Sequence, residues 1–178
     1  MGKIRPPQKV KLIYGVLFKD LKIWEEARAR IEAHFGPVDL VSGFYPFVET
    51  AYYEQEMGAE LTRCYLSLQE LKEPDVLVHA KQLSNLWEEQ FSENGRRRIN
   101  LDPGCLGESN LVLASTKNFS QRIYLGRGIY GEVTMIYVRG DFIRLPWTYP
   151  DYFHHKDFFL AVRKIHQAQL KESPPAGE

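Results

Sequence analysis

The chain has 178 residues, 44% of them hydrophobic and 26% charged, and its 23 basic residues balance 23 acidic ones. That is one domain of ordinary globular composition, long enough to bury a core without disulfide or metal staples. Zero net charge excludes the simplest argument for nucleic-acid or anionic-membrane binding, and 13% aromatic residues excludes disorder over most of the length.

The predicted elements follow in chain order. Residues 1–8 read as a tail. Val10 to Phe18 is apolar at nearly every position, the pattern of a strand buried on both faces. Asp20 caps a helix whose Trp24, Ala27, Ile31 and Phe35 recur at helical spacing, and Gly36-Pro37 ends it. Val38 to Val41 is a second strand, reached by a right-handed crossover. Leu61 to Leu68 is a third. Glu73-Pro74-Asp75 opens a second helix with Val76, Ala80, Leu83, Trp87 and Phe91 inward, ended by Asn94-Gly95. Leu111 to Thr116 completes a βαββαβ order, which predicts a ferredoxin-like core. Arg122–Leu125 and Ile129–Val138 flank a glycine-rich turn, Gly126-Arg127-Gly128, and Gly140-Asp141 turns into Phe142–Leu145. Phe159, Val162 and Ile165 mark a terminal helix. The expected fold is α+β: that core, added C-terminal antiparallel hairpins and a last helix, one domain over residues 9–170, with a second tail at 171–178.

Cys64 and Cys105 are too few for a disulfide framework, and no CxxC or Cys/His cluster points to zinc. No signal-peptide pattern opens the chain and no run approaches eighteen apolar residues. These features predict a cytoplasmic protein with reduced thiols.

Gly126, Gly128, Gly131 and Val133 match GxGxxGxV, but no HRD or DFG follows, and a strand rather than a helix comes next, so this is a hairpin. No GxxxxGK[ST] is present. Asn100-Leu101-Asp102-Pro103-Gly104 reads first as a turn. Read instead as a strand end, it puts Asn100 and Asp102 on one side, where their oxygens suit Mg²⁺ or a substrate hydroxyl. In the hairpin, facing residues sum to 254, so Arg122 lies opposite Glu132. Either this is a cross-strand ion pair, or Lys117 and Arg122 hold a phosphate while Glu132 orients a metal or base. Glu54 and Glu56 would share a face of a strand, as a solvated edge or a carboxylate pair. Arg96-Arg97-Arg98 is a solvated helix end or a phosphate contact. Trp147-Thr148-Tyr149-Pro150-Asp151-Tyr152 is an aromatic plug or a stacking surface.

Taken together these motifs resemble the prokaryotic family called domain of unknown function 4416. The resemblance rests on Tyr53-Glu54, Glu56-Met57-Gly58, Asn100 to Gly104, Ala114 to Lys117, Gln121 to Leu125, Gly128 to Tyr130, Glu132 to Thr134 and Trp147 to Tyr152, and spans about residues 8 to 170. Cys105, Gln121 and Gly131 stand where that pattern has an aromatic, a histidine and an alanine. The resemblance implies that Asp102, Lys117, Arg122, Glu132 and Asp151 belong to recurrent motifs, and it brings no established activity.

The expectation is therefore a pocket for a phosphorylated small molecule or nucleotide, with Mg²⁺ as candidate cofactor. Asp102 and Glu132 would be metal ligands or acid/base groups, and Asn100, Lys117, Arg122 and Asp151 would contact the ligand. Phosphoryl transfer or hydrolysis is the natural extension. The alternative is a non-catalytic module that binds a protein or single-stranded nucleic acid through Trp147 to Tyr152.

Overall fold

The computed structural model describes residues 2–172. Among these, nine strands form one antiparallel sheet with five α-helices. The strands are β1 (Val10–Phe18), β2 (Val38–Val41), β3 (Tyr45–Pro46), β4 (Thr62–Lys72), β5 (Ile99–Leu106), β6 (Asn110–Ser115), β7 (Arg122–Gly126), β8 (Ile129–Val138) and β9 (Asp141–Arg144). The helices are α1 (Leu21–Phe35), α2 (Glu54–Met57), α3 (Val76–Gln90), α4 (Pro150–His154) and α5 (Lys156–Glu172). The sheet order is β2-β4-β1-β5-β6-β8-β7, with β3 on β4 and β9 on β8. No helix of the described residues is long and apolar enough to cross a membrane.

Strand alternation and register sort the side chains. On one face Tyr14, Val16, Phe18, Leu66 and Leu101 pack under α1 and α3, against Trp24, Ile31, Phe35 and Trp87. The other face is apolar at one end, where Ile13, Tyr65, Leu106, Leu111 and Met135 lie beneath Tyr152, Phe159 and Val162 of α4 and α5. Toward its other end this second face turns polar.

Several expectations need correction. The strand after α3 is Ile99–Leu106, not Leu111–Thr116, which is the next one. Pro103-Gly104 disguises it as a turn. The proline is tolerated because β6 pairs only with Gly104–Leu106, so no ladder on that side asks for its N–H. Gly104 has no room for a side chain: a Cβ there would lie 2.7 Å from Leu113 and 3.0 Å from the Val112 carbonyl. Glu54 and Glu56 are on a short helix rather than a strand. The Trp147–Tyr152 segment leads into α4, a helix the aromatic pattern did not suggest. The predicted C-terminal tail is helical through Glu172, and the rest of it lies outside the described residues.

The hairpin arithmetic holds. Arg122 faces Glu132, Ile123 faces Gly131 and Tyr124 faces Tyr130. Positive φ at Gly126, Arg127 and Gly128 makes the tight reversal, with glycines at two of the three positions.

Candidate functional site

The polar end of the second sheet face is the floor of a cavity of about 550 Å³. The register explains why. Leu17 of β1 lies across from both Arg63 and Asn100, and Gly15 lies across from both Tyr65 and Asp102. Leu113 then faces Glu132, and Glu132 faces Arg122. Arg63, Asn100, Asp102, Glu132 and Arg122, from the four strands β4, β5, β8 and β7, thus share one face. All six side chains singled out in the sequence, Asn100, Asp102, Lys117, Arg122, Glu132 and Asp151, line this one cavity.

A gap in the sheet deepens it. Because β5 and β6 pair only over Gly104–Leu106 with Leu111–Leu113, the rest of β5 has an open edge. Helix α3 closes that edge with side chains. The Leu101 N–H donates to Glu88 Oε1 (2.6 Å), and Lys81 Nζ donates to the Leu101 carbonyl (3.0 Å). Lys81, Asn85 and Glu88, at i, i+4 and i+7, all reach the cavity through the gap. Burial pushes the Glu88 carboxyl above the usual carboxylate range, although Lys81 and the Leu101 N–H pull it down.

Two charge clusters meet in this space. In the first, Arg63 is 4% exposed, with Nε 2.8 Å from Asp151 Oδ2 and Nη1 3.7 Å from Asp102 Oδ2. Burial works against the guanidinium charge, but Asp151 and its neighbours outweigh that and raise its pKa. Lys81 Nζ lies 3.8 Å from Asp102 Oδ1. Asn100 Nδ2 donates to Asp102 Oδ2 (2.7 Å) while its Oδ1 accepts from Arg97 Nη1 (3.0 Å). Arg97 also grips Glu56 with two bonds of 2.6 and 2.7 Å, which ties α2 to this cluster. Glu56 is therefore an anchor, not half of a carboxylate pair.

In the second cluster, Arg122 Nε donates to Glu132 Oε2 (2.8 Å), and Nη1 donates to Ser115 Oγ (2.8 Å) and the Lys117 carbonyl (3.1 Å). Gln121 adds a bond to Glu132 Oε2 (3.2 Å). The Arg122 and Glu132 side chains are 7% and 3% exposed. Lys117 is different. Its ammonium lies against Tyr52, 3.2 Å from the hydroxyl, with no carboxylate within 4.0 Å among the described residues. Tyr149 connects the clusters: its hydroxyl touches Arg122 Nη2 (3.5 Å) and feels the charges of both Glu132 and Asp102. Burial raises the Tyr53, Tyr149 and Tyr152 phenols, so these walls stay neutral.

The metal expectation finds a poor donor set. Glu132 is engaged by Arg122 and Gln121. Among the described residues no three His, Cys, Asp or Glu groups gather as a metal site. Of the floor carboxylates, Asp102 is the accessible one, with 24% of its side chain exposed against 8% or less for Glu88, Glu132 and Asp151.

Sequence reasoning missed Arg63, Lys81 and Glu88, and met Arg97 only within the Arg96-Arg97-Arg98 run, as a solvated helix end or a phosphate contact. For α3 a signal was present: Lys81, Ser84 and Glu88 interrupt the buried stripe of Leu77, Ala80 and Trp87. Polar groups on an inward face need partners; Ser84 finds one in its own helix, the Ala80 carbonyl, while those of Lys81 and Glu88 lie at the site. Arg97 sits in a basic run that looks like a solvated helix end, and Arg63 is a lone charge in an apolar strand.

The model of the family described as Domain of unknown function (DUF4416) matches residues 8–166. The chain belongs to this family. No curated protein and no solved structure matches the chain. The matched span contains every floor residue of the cavity, so the DUF4416 domain and the site coincide.

Proposed function

We propose that the cavity binds a phosphorylated small molecule, with the phosphate at Lys117 and Arg122. One observation carries this reading: Lys117, whose ammonium has no carboxylate partner among the described residues, lines the cavity together with Arg122, whose guanidinium bonds the Lys117 carbonyl, and with Ser115 and Thr116. Arg122, fixed by Glu132 and Ser115, offers its Nη2 edge, and Lys117 adds a compact positive charge. A volume of about 550 Å³ suits a ligand well beyond phosphate itself. The tyrosine walls supply apolar surface for the rest of it. Asp102 is the floor group best placed to exchange a proton with the ligand, so phosphoryl transfer or hydrolysis is the activity to assay. Mg²⁺ enters this reading as a counter-ion carried by a polyphosphate, since Glu132 is already engaged. The order β2-β4-β1-β5, with α1 and α3 on one face, supports reading the first part of the chain as a ferredoxin-like unit.

The test is a thermal-shift panel of ATP, GTP, their diphosphates, pyrophosphate and sugar phosphates, each with and without Mg²⁺. A ligand at 100 times its Kd adds about 2.7 kcal/mol, or roughly 5–10 °C for a domain of this size. The shift is expected to disappear in Lys117→Ala, whose side chain is exposed and whose loss leaves the fold intact. A flat panel refutes the reading. It would favour the rival, a binding module that uses the partly exposed Trp147 and Tyr149.

A further inference from the structure

Asp102 is set between cations that do not reach it. Lys81 Nζ is 3.8 Å away on one side and Arg63 Nη1 3.7 Å on the other, both beyond hydrogen-bond range. Arg63 Nη1 is buried with no hydrogen-bond partner among the described residues. Lys81 is 6% exposed, and the Leu101 carbonyl takes only one of its three N–H donors. The Asp102 charge is balanced, yet an acceptor and a donor stand open toward the cavity with a gap between them.

The chemistry of that gap is selective. A hydroxyl oxygen placed about 2.8 Å from each group donates to Asp102 and accepts from Lys81, because a hydroxyl is both donor and acceptor. An ammonium has only donors and would face Lys81 and Arg63 at close range. A carboxylate has only acceptors and would face Asp102. Asn85, one turn along α3 from Lys81, also lines the cavity and carries a donor and an acceptor on one amide.

We infer that the ligand presents a hydroxyl to Asp102 and Lys81, so that the phosphorylated molecule is a polyol or sugar phosphate, the ribose phosphate of a nucleotide included. This rests on the phosphate reading above and adds the chemistry of the other end. Lys117 and Arg122 line the same cavity of about 550 Å³ as Asp102 and Lys81, with Tyr149 in contact with Arg122 on its wall, so a single ligand can span the two ends.

The experiment is calorimetry on the full chain with ribose 5-phosphate, pentyl phosphate and 5-aminopentyl phosphate. All share the phosphate and differ in hydroxyl, alkyl and ammonium. Ribose 5-phosphate is expected to bind about 10- to 100-fold tighter than either, the range of one hydrogen bond to a charged group. Asp102→Asn is expected to erase most of that preference, and Lys117→Ala to weaken all three alike. Equal binding of the three overturns the hydroxyl inference and leaves the phosphate reading standing. No binding by any of them overturns both. The comparison of ligands uses the wild-type chain, so the test does not depend on a variant that folds. Adenosine 5′-phosphate separates the sources: tighter binding than ribose 5-phosphate means a nucleotide, and equal or weaker binding a sugar phosphate.

Discussion

The Arg122–Glu132 pair allows a stability prediction independent of any ligand. Both side chains are almost fully buried, 7% and 3% exposed, and their N–O distance is 2.8 Å. Replacing Arg122 by Met leaves Glu132 in a desolvated site with only Gln121 as a side-chain donor, and also removes the donors to Ser115 and the Lys117 carbonyl. An uncompensated buried charge of this kind costs about 3–5 kcal/mol. Glu132→Gln keeps the shape and an acceptor for Arg122, so it should cost less, about 1–3 kcal/mol. The double variant Arg122→Met/Glu132→Gln removes both charges. It should be more stable than the Arg122→Met single, and the cycle should show coupling above roughly 1.5 kcal/mol. The assay is urea unfolding followed by tryptophan fluorescence, with midpoints compared at a common slope. Single losses below about 0.5 kcal/mol, or strictly additive losses in the double, would refute the claim that this pair is desolvated. The same reasoning makes Lys117, not Arg122, the residue at which to test binding.

Other outcomes follow from the packing. Gly15→Ala places a Cβ 2.1 Å from the Tyr152 hydroxyl, which should cost about 1–3 kcal/mol. That hydroxyl is buried without a hydrogen-bond partner among the described residues, so Tyr152→Phe should be near neutral alone and should relieve Gly15→Ala, both read by thermal melting. The raised Glu88 pKa has a defined sign: the folded state holds the proton more tightly than the unfolded one, so the cost of ionising Glu88 is full above its folded pKa and fades as pH falls toward the ordinary carboxylate value. Urea melts at pH 7 and pH 5 should therefore show the wild type gaining stability relative to Glu88→Gln on acidification, by at most about 1.4 kcal/mol per pH unit. Burial pushes the Cys64 and Cys105 thiols up to about 12, so neither should react with a disulfide reagent at pH 8 until the chain unfolds.

Where the information was local, the sequence by itself determined this protein well. The buried run of β1, the capped helix after Asp20 and the facing of Arg122 with Glu132 across their hairpin all follow from period, cap and turn. The pairing of Asn100 with Asp102 on one face was legible only in the second reading of that segment, as a strand end instead of a turn, since two residues of a strand separated by one must share a face. The tertiary structure decided the rest. It made Pro103-Gly104 part of a central strand, because what a proline costs depends on whether a neighbouring strand wants its N–H. It turned Glu54–Met57 into a helix anchored by Arg97, a contact 41 residues away. It brought Arg63 to the cavity through the register of β4 on β1, and Lys81 and Glu88 by splaying β5 from β6 and filling the gap from α3. Periodicity reports which side of an element is buried. Which elements become neighbours, and which buried charges then meet, is settled only when the whole chain packs.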